Sequence, residues 1–128
     1  MRRKLFSCAI IVLVVLGLLT SLAYFHWTKG VYVSISNNTE KTFKQIDIVY
    51  TGGSTRIASL EPNTSHGQYV NPHGESDLKI ECFDSSGASH SYTVDTYIEH
   101  NYSGSIHITM EPDDKMSVVD NTKVTFWF

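Results

Sequence analysis

Hydrophobic residues follow two different patterns along this chain. From Leu5 to Phe25 they form one apolar run, "LFSCAIIVLVVLGLLTSLAYF", and no charged residue occurs between Lys4 and Lys29. From Val31 onward, apolar and polar residues alternate instead, as in "VYVSIS" and "DLKIECF". A continuous apolar run of this length predicts a membrane-spanning helix, and alternation with period two predicts half-buried β-strands. The sequence therefore predicts an N-terminal helix followed by a β domain.

The apolar run is long enough to cross a bilayer. As a helix, residues 5–25 would extend about 32 Å, which matches a hydrocarbon core of roughly 30 Å. We therefore expect residues 5–27 to be a retained anchor and residues 1–4 to be a basic cytoplasmic start. The predicted anchor residues are the basic Arg2, Arg3 and Lys4 on the inner side and the aromatic Tyr24, Phe25 and Trp27 at the outer interface.

A cleaved signal peptide is the alternative interpretation of the same run. Ser21-Leu22-Ala23 is a small-x-small triplet, and cleavage after Ala23 would release a secreted chain that begins at Tyr24. The basic start stays inside in both cases, so residues 31–128 are expected to lie outside the cell.

Regular turn sequences divide the outer domain into short strands. "NNTEK", "TGGS", "EPNTSH" and "NPHGES" separate the alternating segments, and turns recur about every 8–12 residues. This rhythm predicts an all-β domain, an antiparallel sandwich of about seven strands, with a barrel as the alternative. Leu78, Ile80, Cys82, Ile106, Ile108 and Met110 are predicted to face inward. Three further groups are each predicted to share one face of their strand, namely Val31, Val33 and Ile35, then Ile46, Ile48 and Tyr50, and then Arg56, Ala58 and Leu60.

Charge and cysteine content exclude several classes of function. All thirteen acidic residues follow the apolar run, so beyond Lys4 seven basic residues meet thirteen acidic ones and the net charge is −6. Nucleic-acid binding needs clustered Lys and Arg, so we expect no nucleic-acid partner. The two cysteines, Cys8 and Cys82, lie in different parts, and we expect no intramolecular disulfide.

No pattern of residues indicates catalysis or metal binding. The six histidines show neither His-x-His nor His-Glu-x-x-His spacing, and no Gly-x-Ser-x-Gly sequence is present. We therefore expect no catalytic residue, no cofactor and no metal site. The carboxylates worth testing for a hydrolase are Asp95, Glu99 and Glu111, since glycoside hydrolysis requires two carboxylates in one cleft.

The C-terminus is unusually apolar. In "MSVVDNTKVTFWF", Val124, Phe126 and Phe128 alternate with Thr125 and Trp127, which predicts a last strand. Chain ends are normally polar and mobile, so Phe126, Trp127 and Phe128 are candidate contacts, either with the membrane interface or with the edge of a partner's sheet.

Three segments carry a resemblance to known proteins. "VSISNNTEKTFKQIDIVYTGG", "SLEPNTS" and "YIEHNYSGSIHITM" resemble small, mostly uncharacterised exported or membrane-anchored proteins of Gram-positive-type bacteria, each with one immunoglobulin-like β-sandwich. The resemblance covers roughly residues 31–110. It implies an immunoglobulin-like fold and a location in the cell envelope, and it assigns no catalytic residue.

These observations predict a single-pass, non-enzymatic binding or accessory protein of the cell envelope. Its expected partners are the membrane, through the helix, and a protein of the envelope. Two other classes stay open, namely an immunity or inhibitor protein against an exported enzyme or toxin, and a hydrolase of wall polymers.

Overall fold

The computed structural model describes the backbone of residues 2–124 and the side chains of residues 3–24 and 29–124. One helix and eight strands follow each other along the chain. They are α1 (Arg2–Thr28), β1 (Val31–Asn37), β2 (Phe43–Tyr50), β3 (Gly53–Leu60), β4 (Ser65–Val70), β5 (Ser76–Asp84), β6 (Ser89–Ile98), β7 (Tyr102–Glu111) and β8 (Lys115–Val124).

Helix α1 is long and apolar enough to cross a membrane. Its apolar stretch Arg3–Tyr24 comprises 22 residues with a mean hydropathy of 2.7, and none of it is buried by the rest of the protein. The helix ends just before Gly30, whose φ is +77°. A Cβ at Gly30 would lie 2.1 Å from the carbonyl oxygen of Val70, so only glycine permits this close passage into β1.

The strands form two sheets of four. One sheet has the order β4-β1-β7-β8, and the other has the order β3-β2-β5-β6. The prediction of an all-β domain after an apolar helix is confirmed. The described residues form eight strands where about seven were expected, and the segment predicted as the last strand forms β8. One detail is wrong. The pairing is not wholly antiparallel, because β1 and β7 run parallel.

The core lies between the two sheets. Strict alternation buries the inward residues of β1, β5 and β7, as the sequence predicts, and Val31, Leu78 and Ile106 are each 0% exposed. The prediction for β3 is wrong, since Arg56 and Ala58 are exposed and Ile57 is buried beside Leu60. Cys8 and Cys82 are free, as expected.

The fold has two ends that differ in their relation to α1. We call the end at which β1 begins the proximal end, because Lys29 and Gly30 alone separate it from α1. We call the end at which β1 finishes, at Asn37, the distal end. Since β7 is parallel to β1 and β8 runs back, the last described residue, Val124, returns to the proximal end. The predicted contacts Phe126, Trp127 and Phe128 lie outside the described residues.

Candidate binding cleft

A cleft of ≈ 660 Å³ opens at the distal end of the domain. The β1–β2 loop forms one wall, the β7–β8 turn forms the other, and three residues of the strands form an apolar floor. The wall residues are Asn38, Thr39, Glu40, Lys41, Glu111, Pro112, Asp113 and Asp114, and the floor residues are Phe43, Tyr92 and Met110.

Asn37 fixes the wall formed by the β1–β2 loop. Its side chain is 1% exposed. Its amide nitrogen donates to the carbonyl oxygens of Lys41 at 2.7 Å and Leu60 at 3.1 Å, and its amide oxygen accepts from the backbone N–H of Thr39 at 3.0 Å. A buried amide satisfied on both sides holds its partners in one geometry. The hydrogen bonds of Asn37 therefore fix the conformation of the β1–β2 loop that forms this wall.

The opposite wall is a turn with an unusual backbone. Asp113 and Asp114 have φ values of 62° and 56°, in the left-handed region that non-glycine residues adopt rarely. Asp tolerates this region better than most residues because its side chain bonds locally. The backbone conformation of this turn places two carboxylates beside the cleft.

A hydrogen-bonded network of side chains joins the cleft to the end of β5. His90 Nε2 lies 2.8 Å from Asp84 Oδ2, and His90 Nδ1 lies 3.2 Å from Asp114 Oδ1. The Tyr92 hydroxyl donates to the same Asp114 oxygen at 3.3 Å. The rings of His90 and Tyr92 are stacked, with 6.2 Å between centroids. The two ring nitrogens of His90 each contact one carboxylate, so the ring links the exposed turn to the buried strand end.

The electrostatics of this network follow from its hydrogen bonds. Asp84, whose side chain is 5% exposed, accepts hydrogen bonds from the Ser86 hydroxyl, from His90 and from the backbone N–H groups of Ser86 and Ala88. These bonds, that of the Ser86 hydroxyl foremost, hold the pKa of Asp84 well below its usual range. Burial, and then the nearby carboxylate of Asp114, raises the pKa of Tyr92 to about 12. The carboxyl of Asp84 is therefore ionised and the hydroxyl of Tyr92 is neutral around neutral pH.

The thiol of Cys82, close to this network, is not activated. Cys82 is buried near this network, and burial foremost raises the pKa of its thiol to about 11, which suppresses the reactive thiolate. Among residues 2–124 no group of three or more His, Cys, Asp or Glu side chains is arranged to hold a metal ion. The rim carries the acidic Glu40, Glu111 and the two turn aspartates against one lysine, Lys41.

The carboxylates considered for a hydrolase are not brought together. Glu111 lines the cleft at the distal end. Asp95 lies within β6, and Glu99 follows β6 at the proximal end, where the Tyr97 hydroxyl donates to its carboxylate. Two carboxylates that act on one glycosidic bond must share one cleft. This trio does not form such a pair.

The residues predicted to mark the membrane segment lie on α1. Arg3 and Lys4 are in its first turn, and Tyr24 is exposed near its C-terminal end. Arg2, Phe25 and Trp27 belong to the same helix, but their side chains lie outside the described part of the chain. Sequence reasoning missed Asn37, Asp84, His90 and Tyr92 as parts of a site, because they come from separate segments with no shared spacing.

Comparison with known proteins supports the fold alone. No family model matches this sequence, and no curated protein sequence matches it. An NMR structure of a protein from Eubacterium rectale is similar, with a TM-score of 0.52 at 13% sequence identity. The likeness covers 73% of this chain and 89% of that one. At this identity the two proteins share an architecture, and nothing about activity is transferred.

Proposed function

We propose that this protein is a membrane-anchored, non-enzymatic binding module of the cell envelope, and that it binds a protein partner in the distal cleft. The observation that carries the proposal is the position of the cleft. It opens at the end of the domain opposite to the one that α1 joins, so α1 and the cleft do not compete for the same surface. A cleft with an apolar floor and polar rim is the usual form of a binding site.

The composition of the cleft favours a partner that presents a basic side chain. The partly exposed Tyr92 supplies aromatic surface at the floor, beside the nearly buried Phe43, and Glu40, Glu111 and Asp113 supply negative charge at the rim. Carboxylates attract a cation, and an aromatic face accepts it once it is desolvated. Lys41 is the one lysine or arginine of the cleft lining.

Site-specific photo-crosslinking in intact cells of the native host tests this function. A photoreactive amino acid in place of Glu40, at the rim, is expected to give a discrete crosslinked product. The same amino acid in place of Thr93, which is exposed on β6 outside the cleft lining, is the matched control and is expected to give none. Neutralising the rim with Glu111→Gln and Asp113→Asn should reduce the yield at the rim position.

The result that would contradict the proposal is equally specific. If the rim and control positions give the same products, or the rim gives none, the cleft is not the binding site. If the yield is unaffected by the neutral variants, a cationic partner is the wrong chemistry.

We also propose that the β domain is an immunoglobulin-like sandwich. Sheet β3-β2-β5-β6 matches the order C′-C-F-G of such domains, and the adjacent pair β1 and β4 matches strands B and E. The hairpin β7–β8 occupies the flank of β1, where strand A would lie, with β7 parallel to it. An NMR structure tests this assignment through the β2–β5 contact between Ile48 and Ile80. Loss of that contact would refute it.

A further inference from the structure

Tyrosines are concentrated at one end of the protein. Of the seven tyrosines in the sequence, Tyr92 alone lies at the distal end. The other six lie at the C-terminal end of α1 or at or near the proximal strand ends. They are Tyr24, Tyr32, Tyr50, Tyr69, Tyr97 and Tyr102.

Both sheets contribute exposed rings to this end. Tyr32 and Tyr69 are direct partners on β1 and β4, their ring centroids are 5.1 Å apart, and they are 36% and 50% exposed. On the other sheet Tyr97 is 47% exposed, and its ring packs edge-to-face against that of Tyr102, with 6.1 Å between the ring centroids. Tyr32 and Tyr69 lie on the outer face of one sheet and Tyr97 on the outer face of the other, so the rings flank the proximal end on both sides. We call Tyr32, Tyr69 and Tyr97 the proximal tyrosine surface. Tyrosine combines an apolar ring with a polar hydroxyl, which suits the boundary between lipid and water.

The connection to α1 keeps this surface close to the membrane. The apolar stretch ends at Tyr24, and four helical residues and a short extended link lead from there to Val31. The path is at most about 17 Å long, given ~1.5 Å per helical residue and ~3.5 Å per extended residue. The headgroup layer is itself roughly 5–7 Å thick. Lys29 belongs to this link, and its Nζ lies 5.6 Å from the Tyr69 ring centroid.

We propose that the proximal tyrosine surface rests on the lipid headgroup layer and holds the β domain against the bilayer. The inference relies on α1 being a retained anchor, as in the proposed function. The occupant is a zwitterionic lipid surface, because the charges at this end do not favour anionic lipid. Lys29 and Lys123 are accompanied by Glu75, Asp77 and Glu99. Ring insertion, not charge, supplies the contact.

The docked domain has a fixed orientation. When the proximal end of the domain lies on the bilayer, the distal cleft opens away from the membrane. The partner then approaches the cleft from one direction. A domain held by the tether alone would tumble through many directions at the same distance.

Fluorescence quenching in phosphatidylcholine nanodiscs tests the contact with the full-length chain. Fluorophores are attached to Gly74→Cys at the proximal end or to Ser85→Cys at the distal end, in a Cys8→Ser background. A Cβ at Gly74 meets no atom within 4 Å, so this substitution is accommodated. Cys82 is buried and does not compete for the label. Lipids with a nitroxide on the headgroup should quench the proximal label and leave the distal label bright.

The tyrosine variants separate docking from simple tethering. Tyr69→Ser with Tyr97→Ser should reduce proximal quenching by about twofold or more, since two half-exposed rings leave the interface. Phe83→Ser is the matched control, because Phe83 is a 43% exposed aromatic ring at the distal end of β5, and it should leave quenching unchanged. Replacing part of the phosphatidylcholine with phosphatidylglycerol should not increase the quenching.

Three outcomes would overturn the inference. Unchanged quenching in the tyrosine variant means that the tether alone holds the domain near the lipid. Stronger quenching with anionic lipid assigns the contact to charge. An intact mass that begins at Tyr24 in the membrane preparation refutes the retained anchor, and the inference with it, before any quenching is measured.

Discussion

Asn37 is the residue on which the cleft depends most directly. Its amide bonds to three backbone positions, in the β1–β2 loop and at the end of β3, from a buried position. Asn37→Ala removes the hydrogen bond to the buried Leu60 carbonyl oxygen and the acceptor of the Thr39 N–H, and it should lower the free energy of unfolding by about 1–3 kcal/mol. Urea denaturation followed by circular dichroism measures this. Asn38→Ala is the control, because the Asn38 side chain donates to Glu111 in an exposed position. Equal losses in both variants would contradict the role of Asn37.

Asp84 makes the free energy of unfolding depend on pH in the acidic range. Its pKa is lower in the folded state, so the unfolded state binds more protons as the pH falls. The stabilisation is complete above the unfolded pKa of about 3.9 and is lost as pH falls through the folded pKa. Asp84→Asn should therefore be less stable at neutral pH, and its difference from the native protein should shrink below a pH of about 4. Denaturant titrations across this range test it. A difference that stays constant would be inconsistent with ionised Asp84 as the cause.

Cys82 should be inert while the domain is folded. Burial foremost raises the pKa of its thiol to about 11, so near pH ~8 only about one thiol in a thousand is ionised. In a Cys8→Ser variant, iodoacetamide should label Cys82 in denaturant and leave it unlabelled in the native protein, as mass spectrometry will detect. Rapid native labelling would show that this part of the core opens to solvent.

At the scale of the strands, predictability follows the regularity of the alternation. In β1 and β5 every second residue is buried, and in β7 the same holds from Ile106 to Met110, so the inward faces could be predicted from sequence. In β3 two buried residues, Ile57 and Leu60, are three apart. Ile57 and Leu60 pair with Ile46 and Phe43 of β2. Between these two residues of β2, Gln45 has a φ of 50°, and the register of β2 with β5 shifts. A period-two pattern cannot reveal such a bulge.

Gln45 gives a test of that bulge. Propensity alone would favour valine at this position of a strand. Because Gln45 has a left-handed backbone conformation, Gln45→Val should instead lower stability by about 1–2 kcal/mol. Lys44→Val, at an exposed neighbour on the same strand, is the control and should change stability little. The urea denaturation midpoints of the two variants are compared with that of the native protein. A higher midpoint for Gln45→Val would exclude the bulge.

The candidate site illustrates what sequence reasoning cannot supply. The acidic residues of the turn Glu111–Asp114 are close together in the sequence, but their partners His90 and Tyr92 come from β6. Which strands become neighbours is decided by non-local pairing, such as the parallel contact of β1 with β7. A single sequence predicts strands and their faces well, whereas it does not contain the order of the strands in the sheets.

At the scale of the whole molecule, the fold places its two contact surfaces at opposite ends. The strands between them are extended, so the seven residues of β1 separate the proximal tyrosine surface from the cleft by about 20 Å. A ligand in the cleft is therefore beyond the headgroup layer even when the domain is docked. This arrangement suits a protein that holds a partner at a set height above the membrane.

That arrangement requires α1 to remain attached, which intact mass spectrometry of membrane and medium fractions from the native host measures. We expect the full-length mass in the membrane fraction, because the uncharged run Leu5–Phe25 is longer than the roughly 7–15 apolar residues of a signal peptide. A variant with Ala23→Leu, which removes the small residue needed for cleavage, should then have the same distribution as the native protein. If the chain instead begins at Tyr24 and is found in the medium, Ala23→Leu should move it to the membrane. In that case the proximal tyrosines would face water, and the cleft would act in a secreted protein.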